Sequence, residues 1–238
     1  MESKNIRKKV GVVLSGSGVF DGTEIYEATL TTYFLDRLGV KPIFMAPNVE
    51  QTEVVNHINQ EQIKESSPRN VLLESARIAR GPVKDIKEAS AEGLDAIIFP
   101  GGFGAAKNLS DFAYKGSDCT INPDIVELVK GMHALKKPQG FMCIAPLIAA
   151  SVLPDVQITI GKDPATAQSL EQMGANHVYC EVDDIVIDED YRVVTTPAYM
   201  LGPTISKVGQ GIEKLVDTVV KMTDIKKKET AAKKNTAA

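Results

Sequence analysis

The chain of 238 residues contains no tryptophan, and aromatic residues make up only 5% of it. A core with so few rings has to be built from Val, Ile, Leu and Ala. The 43% hydrophobic and 24% charged content is ordinary for a globular domain. Cysteine is scarce as well: Cys119, Cys143 and Cys180 are odd in number and contain no C-x-x-C pair. That pattern argues against a disulfide framework and for a reducing compartment. It also lacks the paired spacing and adjacent histidines of a metal site, so neither metal nor other cofactor is expected. No apolar run approaches transmembrane length. The opening MESKNIRKKVGVVLSG has no apolar secretory core and is too short and unpatterned for a transit peptide. The expectation is a soluble, cytoplasmic protein with no membrane partner. A formal charge of −4 argues against a nucleic-acid partner. That charge is uneven: in residues 226–238 five lysines stand against one glutamate, +4, leaving −8 on the remainder. Residues 226–238 therefore read as a flexible basic tail, and residues 1–225 as a single domain without internal repeat or linker.

What is present alternates between two periodicities. Val10–Leu14, Val40–Ala46, Ala96–Phe99, Gly140–Met142 and Val156–Ile160 are short apolar runs of strand type. Helical spacing or capping residues mark Gly22–Leu38 (capped by Asp21, closed by Gly39), a segment from Val71 to Ala79, and Pro123 to about Lys137 behind an Asn122 cap. Further helices are expected from Ile144, over Ala165–Met173 and from about Pro203 to Met222, with a short one at Val54–Ile58. Asp184–Asp188 and Tyr191–Thr196 flank Glu189-Asp190 as a β-hairpin. Alternating strands and helices predict an α/β fold, a mostly parallel sheet with helices on both faces.

One junction carries chemistry. In Gly140-Phe141-Met142-Cys143-Ile144-Ala145-Pro146 strand residues lead into Cys143 and helix formers follow without a loop. Such a turn, a nucleophile elbow, holds the side chain above the carboxyl edge of the sheet, where ligands bind in α/β folds. The following helix N-terminus is expected to favour thiolate, and the Ile144 N–H to stabilise an oxyanion. Pro100-Gly101-Gly102 follows another strand at the same edge, which makes the Gly102 N–H a second donor. Glu24 and Glu27, in the opening turns of the first long helix, are the acid/base candidates; three residues apart, they share one helix face.

With these residues assembled, the chain resembles the DJ-1/PfpI superfamily, which shares its architecture with class I glutamine amidotransferase domains, and within it the ES1/ElbB branch. The resemblance spans about residues 8–222. It rests on Leu14-Ser15-Gly16 through Asp21-Gly22-Thr23-Glu24-Ile25, on Pro100 to Ser110, on Gly140 to Pro146, and on Val182-Asp183-Asp184-Ile185-Val186 with Thr195-Thr196-Pro197-Ala198-Tyr199. It implies a flavodoxin-like sheet, a nucleophile at Cys143, an oxyanion pair at Gly102 and Ile144, and a glutamate paired with the cysteine. Counting back from Gly39 selects Glu27 for that glutamate, and counting forward from Phe20-Asp21 selects Glu24. Glu27 is preferred because helices tolerate insertions less well than loops.

The departure from the family is a missing histidine. Many relatives place one just after the strand matching Val156–Ile160, where this chain has Gly161. His57, His133 and His177 lie elsewhere in the chain, so a Cys-His-Glu triad and glutamine hydrolysis are not expected. A cofactor-independent, glyoxalase-like lyase needs only a nucleophile and one acid/base. It would convert a small reactive aldehyde, glyoxal or methylglyoxal, to a 2-hydroxy acid. The alternative is a non-catalytic redox-responsive or protein-interaction module with an oxidisable cysteine. The family also implies a homodimer.

Overall fold

The computed structural model describes residues 8–64 and 67–235. Its first half runs β1 (Lys9–Val13), α1 (Ile25–Arg37), β2 (Lys41–Ala46), β3 (Val54–Val55), β4 (Gln62–Ile63), α2 (Val71–Ala79) and β5 (Lys84–Asp85). There follow β6 (Ala96–Phe99), α3 (Phe103–Lys107), α4 (Phe112–Lys115), α5 (Pro123–Ala134), β7 (Gln139–Met142) and α6 (Pro146–Val152). The chain closes with β8 (Gln157–Ile158), α7 (Pro164–Gln172), β9 (Asn176–His177), β10 (Val186–Asp188), β11 (Val193–Thr196) and α8 (Ile205–Asn235).

Among the described residues, seven strands form the main sheet in the order β10-β11-β7-β6-β1-β2-β5, parallel throughout except for the β10–β11 hairpin. Strands buried on both faces need apolar residues at every position, and β6 shows the result. Its Ile97 and Phe99 enter the core under α5 and α6, while Ala96 and Ile98 enter the core under α1 and α8. The helices thus cover both faces, as the alternation of elements predicts.

The chain leaves β1 for β2 on one side and later crosses to β6 on the other. This reversal beside β1 is a topological switch point, and the crevice beyond the carboxyl ends of such strands is where α/β sheets accept ligands. Parallel register brings Phe99 opposite Phe141, with their rings stacked at 4.8 Å. The turns that follow β6 and β7 therefore meet side by side.

Several local expectations change. Val54–Val55 forms a small hairpin with Gln62–Ile63 and not a helix, as suits two adjacent β-branched residues. α1 begins at Ile25, capped by Glu24; Asp21 instead accepts from the Val55 N–H at 2.8 Å. The strand expected at Val156–Ile160 is shorter and pairs with β9, outside the main sheet. α8 runs past Met222 to Asn235 and takes in most of the stretch expected as a flexible tail; residues 236–238 lie outside the described residues. Among the described residues, no helix is long and apolar enough to cross a membrane.

Candidate active site

Cys143 sits on the turn between β7 and α6 with φ 59°, a left-handed conformation that costs a non-glycine residue free energy. Its N–H donates to the Thr196 carbonyl at 3.1 Å, so the neighbouring strand holds the turn in place. The residue is 8% exposed. The backbone N–H groups of Gly102 and Ile144 both donate to the sulfur. Gly102 has φ 93°, and a Cβ there would stand 2.4 Å from both the Glu24 nitrogen and the Gly22 oxygen. Only glycine lets this backbone turn its N–H toward the sulfur.

The two candidate glutamates separate by role. Glu27, with no exposure at all, lies against the thiol and shares a hydrogen bond with it. Its carboxyl accepts from the Gly101 N–H at 2.7 Å and from the Tyr199 N–H at 3.2 Å. Glu24 turns away: it is the N-cap of α1 and accepts from the Glu27 N–H at 2.7 Å. The turn spacing that puts both on one helix face places only the second in line with the sulfur. The loop ahead of them is sewn to α3, since Asn108 donates to the carbonyls of Ser15 (2.9 Å) and Asp21 (2.8 Å). The Glu24 N–H also donates to the Gly101 carbonyl at 2.9 Å.

Burial, with the nearby charge of Glu24, raises Glu27 to about 8 against the hydrogen bonds of Tyr199, Gly101 and Cys143. The Cys143 thiol is also pushed well up, first by burial and then by the Glu27 carboxylate, with the Gly102 and Ile144 N–H groups opposing. This corrects the expectation of a resting thiolate. α6 begins only at Pro146, three residues past the sulfur, and its first residue brings no N–H. Burial thus favours the protonated form of both groups, and Glu27 is the titratable group beside the sulfur.

The thiol opens on a pocket of about 470 Å³. Its walls are mostly apolar, with Phe103, Ala106, Phe112, Ile144 and Met200 among them, and Lys107, Glu53 and Tyr114 form one polar wall. None of the three histidines lines it. His57 accepts from the Phe20 N–H at 3.3 Å, His133 stacks on Tyr191, and His177 accepts from the Ile160 N–H at 3.4 Å. Gly161 has φ 93°, and a Cβ there would come within 2.7 Å of Leu201 Cγ, so packing closes the position against any side chain. Among the described residues, no three of His, Cys, Asp and Glu gather as metal ligands do.

Sequence reasoning missed two features. The Tyr199 N–H reaches Glu27 because Ala198 adopts φ 45°, a conformation that alanine does not announce. The wall of Lys107, Glu53 and Tyr114 joins α3, α4 and the segment before β3, which no local pattern links.

No protein-family model matches the chain. It is 42% identical to the rat ES1 protein homolog, mitochondrial, over 91% of this chain and 85% of that protein. It is 43% identical to the human glutamine amidotransferase-like class 1 domain-containing protein 3, mitochondrial, over 90% and 83% of the two chains. Among solved structures, an isoprenoid biosynthesis protein with amidotransferase-like domain from Ehrlichia chaffeensis superposes with TM-score 0.82 at 35% identity, over 90% of this chain and 99% of that one. A ThiJ/PfpI domain protein from Brachyspira murdochii, 13% identical, shares the fold at TM-score 0.55 over 91% and 96%. The mitochondrial names overturn the cytoplasmic placement expected from composition. A compartment is set by an address that receptors read, not by the make-up of the folded domain.

Proposed function

Because the chain belongs to the ES1 family, glutamine amidotransferase-like relatives of the DJ-1/PfpI proteins, we propose that it is a cofactor-independent, glyoxalase-like enzyme acting on 2-oxoaldehydes. One observation carries the reading: a thiol and a buried carboxyl group face each other beneath two convergent backbone N–H donors.

The steps follow from that arrangement. Glu27 in its carboxylate form takes the Cys143 proton as sulfur bonds to the aldehyde carbon, and passes it to the carbonyl oxygen. The product is a hemithioacetal. Glu27 then removes the proton from that same carbon. The electron pair moves into an enediolate, whose oxygen is held by the Gly102 and Ile144 N–H groups. Returning the proton to the neighbouring carbon leaves a thioester of the 2-hydroxy acid. Water cleaves the thioester and restores the thiol. The net change is addition of one water to the oxoaldehyde with no external oxidant, so no histidine and no electron carrier is required.

The redox-module alternative uses the same sulfur but has no use for a pocket of about 470 Å³ beside it. The relatives' names also support placing the protein in mitochondria. The test is conversion of methylglyoxal to lactate by the parent and by Cys143→Ser. The parent is expected to form the acid and the variant to lose at least about a thousand-fold in rate. Equal rates, or no acid from the parent, would remove the enzyme reading.

A further inference from the structure

The volume and lining of the pocket carry the reading further. A water takes about 30 Å³, and cavities of about 300–1,000 Å³ are the size that encloses ligands well beyond three carbons. Glyoxal or methylglyoxal, the bulk of a few waters, would leave most of the 470 Å³ beside Cys143 unfilled. The walls say what fills it. The chain has only seven Phe and six Tyr, yet Phe103, Phe112, Tyr114 and Tyr199 all line this one pocket. Ala106, Ile144 and Met200 complete apolar surfaces that gain free energy only by covering apolar groups.

Among the described residues, Lys107 is the one cation in the lining, and it is already engaged. Lys107 Nζ lies 3.2 Å from the Glu53 carboxylate and donates to the Phe20 carbonyl at 3.0 Å, and Tyr114 hydroxyl donates to the other side of the same Glu53. The polar wall is therefore neutral as a unit. A phosphate or carboxylate on the substrate would have to compete with Glu53 for Lys107 and would lie beside a like charge.

Resting on the oxoaldehyde reading, we propose that the substrate class is an uncharged carbonyl compound with a planar or branched apolar body, of the aryl- or alkylglyoxal kind. Its reactive carbon meets Cys143 while its body lies between Phe103, Tyr114 and Met200. The small glyoxals are then poor substrates that share only the reactive end.

The test separates pocket preference from turnover. Cys143 is alkylated with bromoacetone, phenacyl bromide and 4-carboxyphenacyl bromide. In each case the thiol sulfur bonds to the methylene carbon, bromide leaves and the thiol proton is released. Rates are read from the mass of the Cys143 peptide and divided by the rate of each reagent with glutathione. The normalised rate for phenacyl bromide is expected to exceed that for bromoacetone by at least about ten-fold, the scale on which apolar pockets discriminate small groups. The carboxylated reagent is expected to fall below phenacyl bromide. A phenacyl-to-bromoacetone ratio no higher than one overturns the size preference, and a faster carboxylated reagent overturns the uncharged class. In parallel, phenylglyoxal is expected to give mandelate with kcat/KM at least about ten-fold above that for lactate from methylglyoxal. Selective alkylation with no acid from either aldehyde would sink the catalytic reading while leaving the apolar preference of the pocket in place. Turnover of both aldehydes at equal kcat/KM would sink the substrate class alone.

Discussion

Cys143 and Cys180 are both buried, 8% and 6% exposed, and burial pushes both thiols above the ordinary cysteine range. Around Cys180, raised to about 11, the surroundings offer an acceptor: its sulfur donates to the Glu181 carbonyl at 3.4 Å. Around Cys143 they offer donors, two backbone N–H groups, and a carboxyl group hydrogen-bonded to it. Cys143 also carries the strain of φ 59°, whereas Cys180 has no left-handed backbone. Burial alone therefore does not mark a reactive cysteine. What sets Cys143 apart from Cys180 is the pair of backbone N–H donors and the carboxyl group gathered at its sulfur.

The comparison can be broken most severely at Glu27. Glu27→Gln keeps the shape of the side chain and removes the base, and 2-hydroxy acid formation is expected to drop about 10²–10⁴-fold. Glu24→Gln, which retains an oxygen for the α1 cap, is expected to cost about ten-fold or less. Equal losses in the two variants would show that the distinction drawn between the carboxyl groups is wrong.

The next effect is on pH dependence. Glu27 is held at about 8 in the folded protein against 4.5 ordinarily, so the fold binds its proton more tightly than the unfolded chain does. The linkage therefore favours folding fully below about 4.5 and is lost as pH rises through about 8. At about 1.4 kcal/mol per unit, the parent's stability relative to Glu27→Gln should decline by up to ~5 kcal/mol across that window in urea titrations. The rate should move the opposite way and rise toward an inflection near 8, because the base form starts the reaction. A pH-independent stability difference would contradict a neutral, buried Glu27.

Gly102→Ala places a methyl group against the Glu24 nitrogen and the Gly22 oxygen. It should destabilise the protein by about 1–3 kcal/mol in urea unfolding and reduce turnover together with the lost donor geometry. The smallest effect is expected at the other cysteine. Cys180→Ser should leave the rate of acid formation within about two-fold, since nothing at that sulfur is placed to do chemistry. A larger loss there would undo the contrast between the two thiols.

Much of this was legible in order along the chain. The apolar runs at β1, β6 and β7 and the capped helices between them identify a parallel α/β sheet, because strands buried on both faces admit few polar residues. Gly140 to Pro146 announces the elbow, and Pro100-Gly101-Gly102 its companion turn. The choice between Glu24 and Glu27 stayed open, since both lie in the first turn of one helix and differ by about 300° of rotation around it. Val54–Val55 misled for a simpler reason: a two-residue strand is too short to show a period.

By itself, then, the sequence determined the class of fold, the position of the sulfur on a sheet edge and the absence of a histidine after β8. These depend on residue type and on neighbours within a few positions. Tertiary structure alone decided that Glu27 meets the thiol, that Gly161 is sealed by Leu201, and that burial pushes the Cys143 thiol up. Each of these depends on groups distant in the chain being brought within contact and shielded from water. Desolvation is a property of the assembled core that no local stretch of residues encodes.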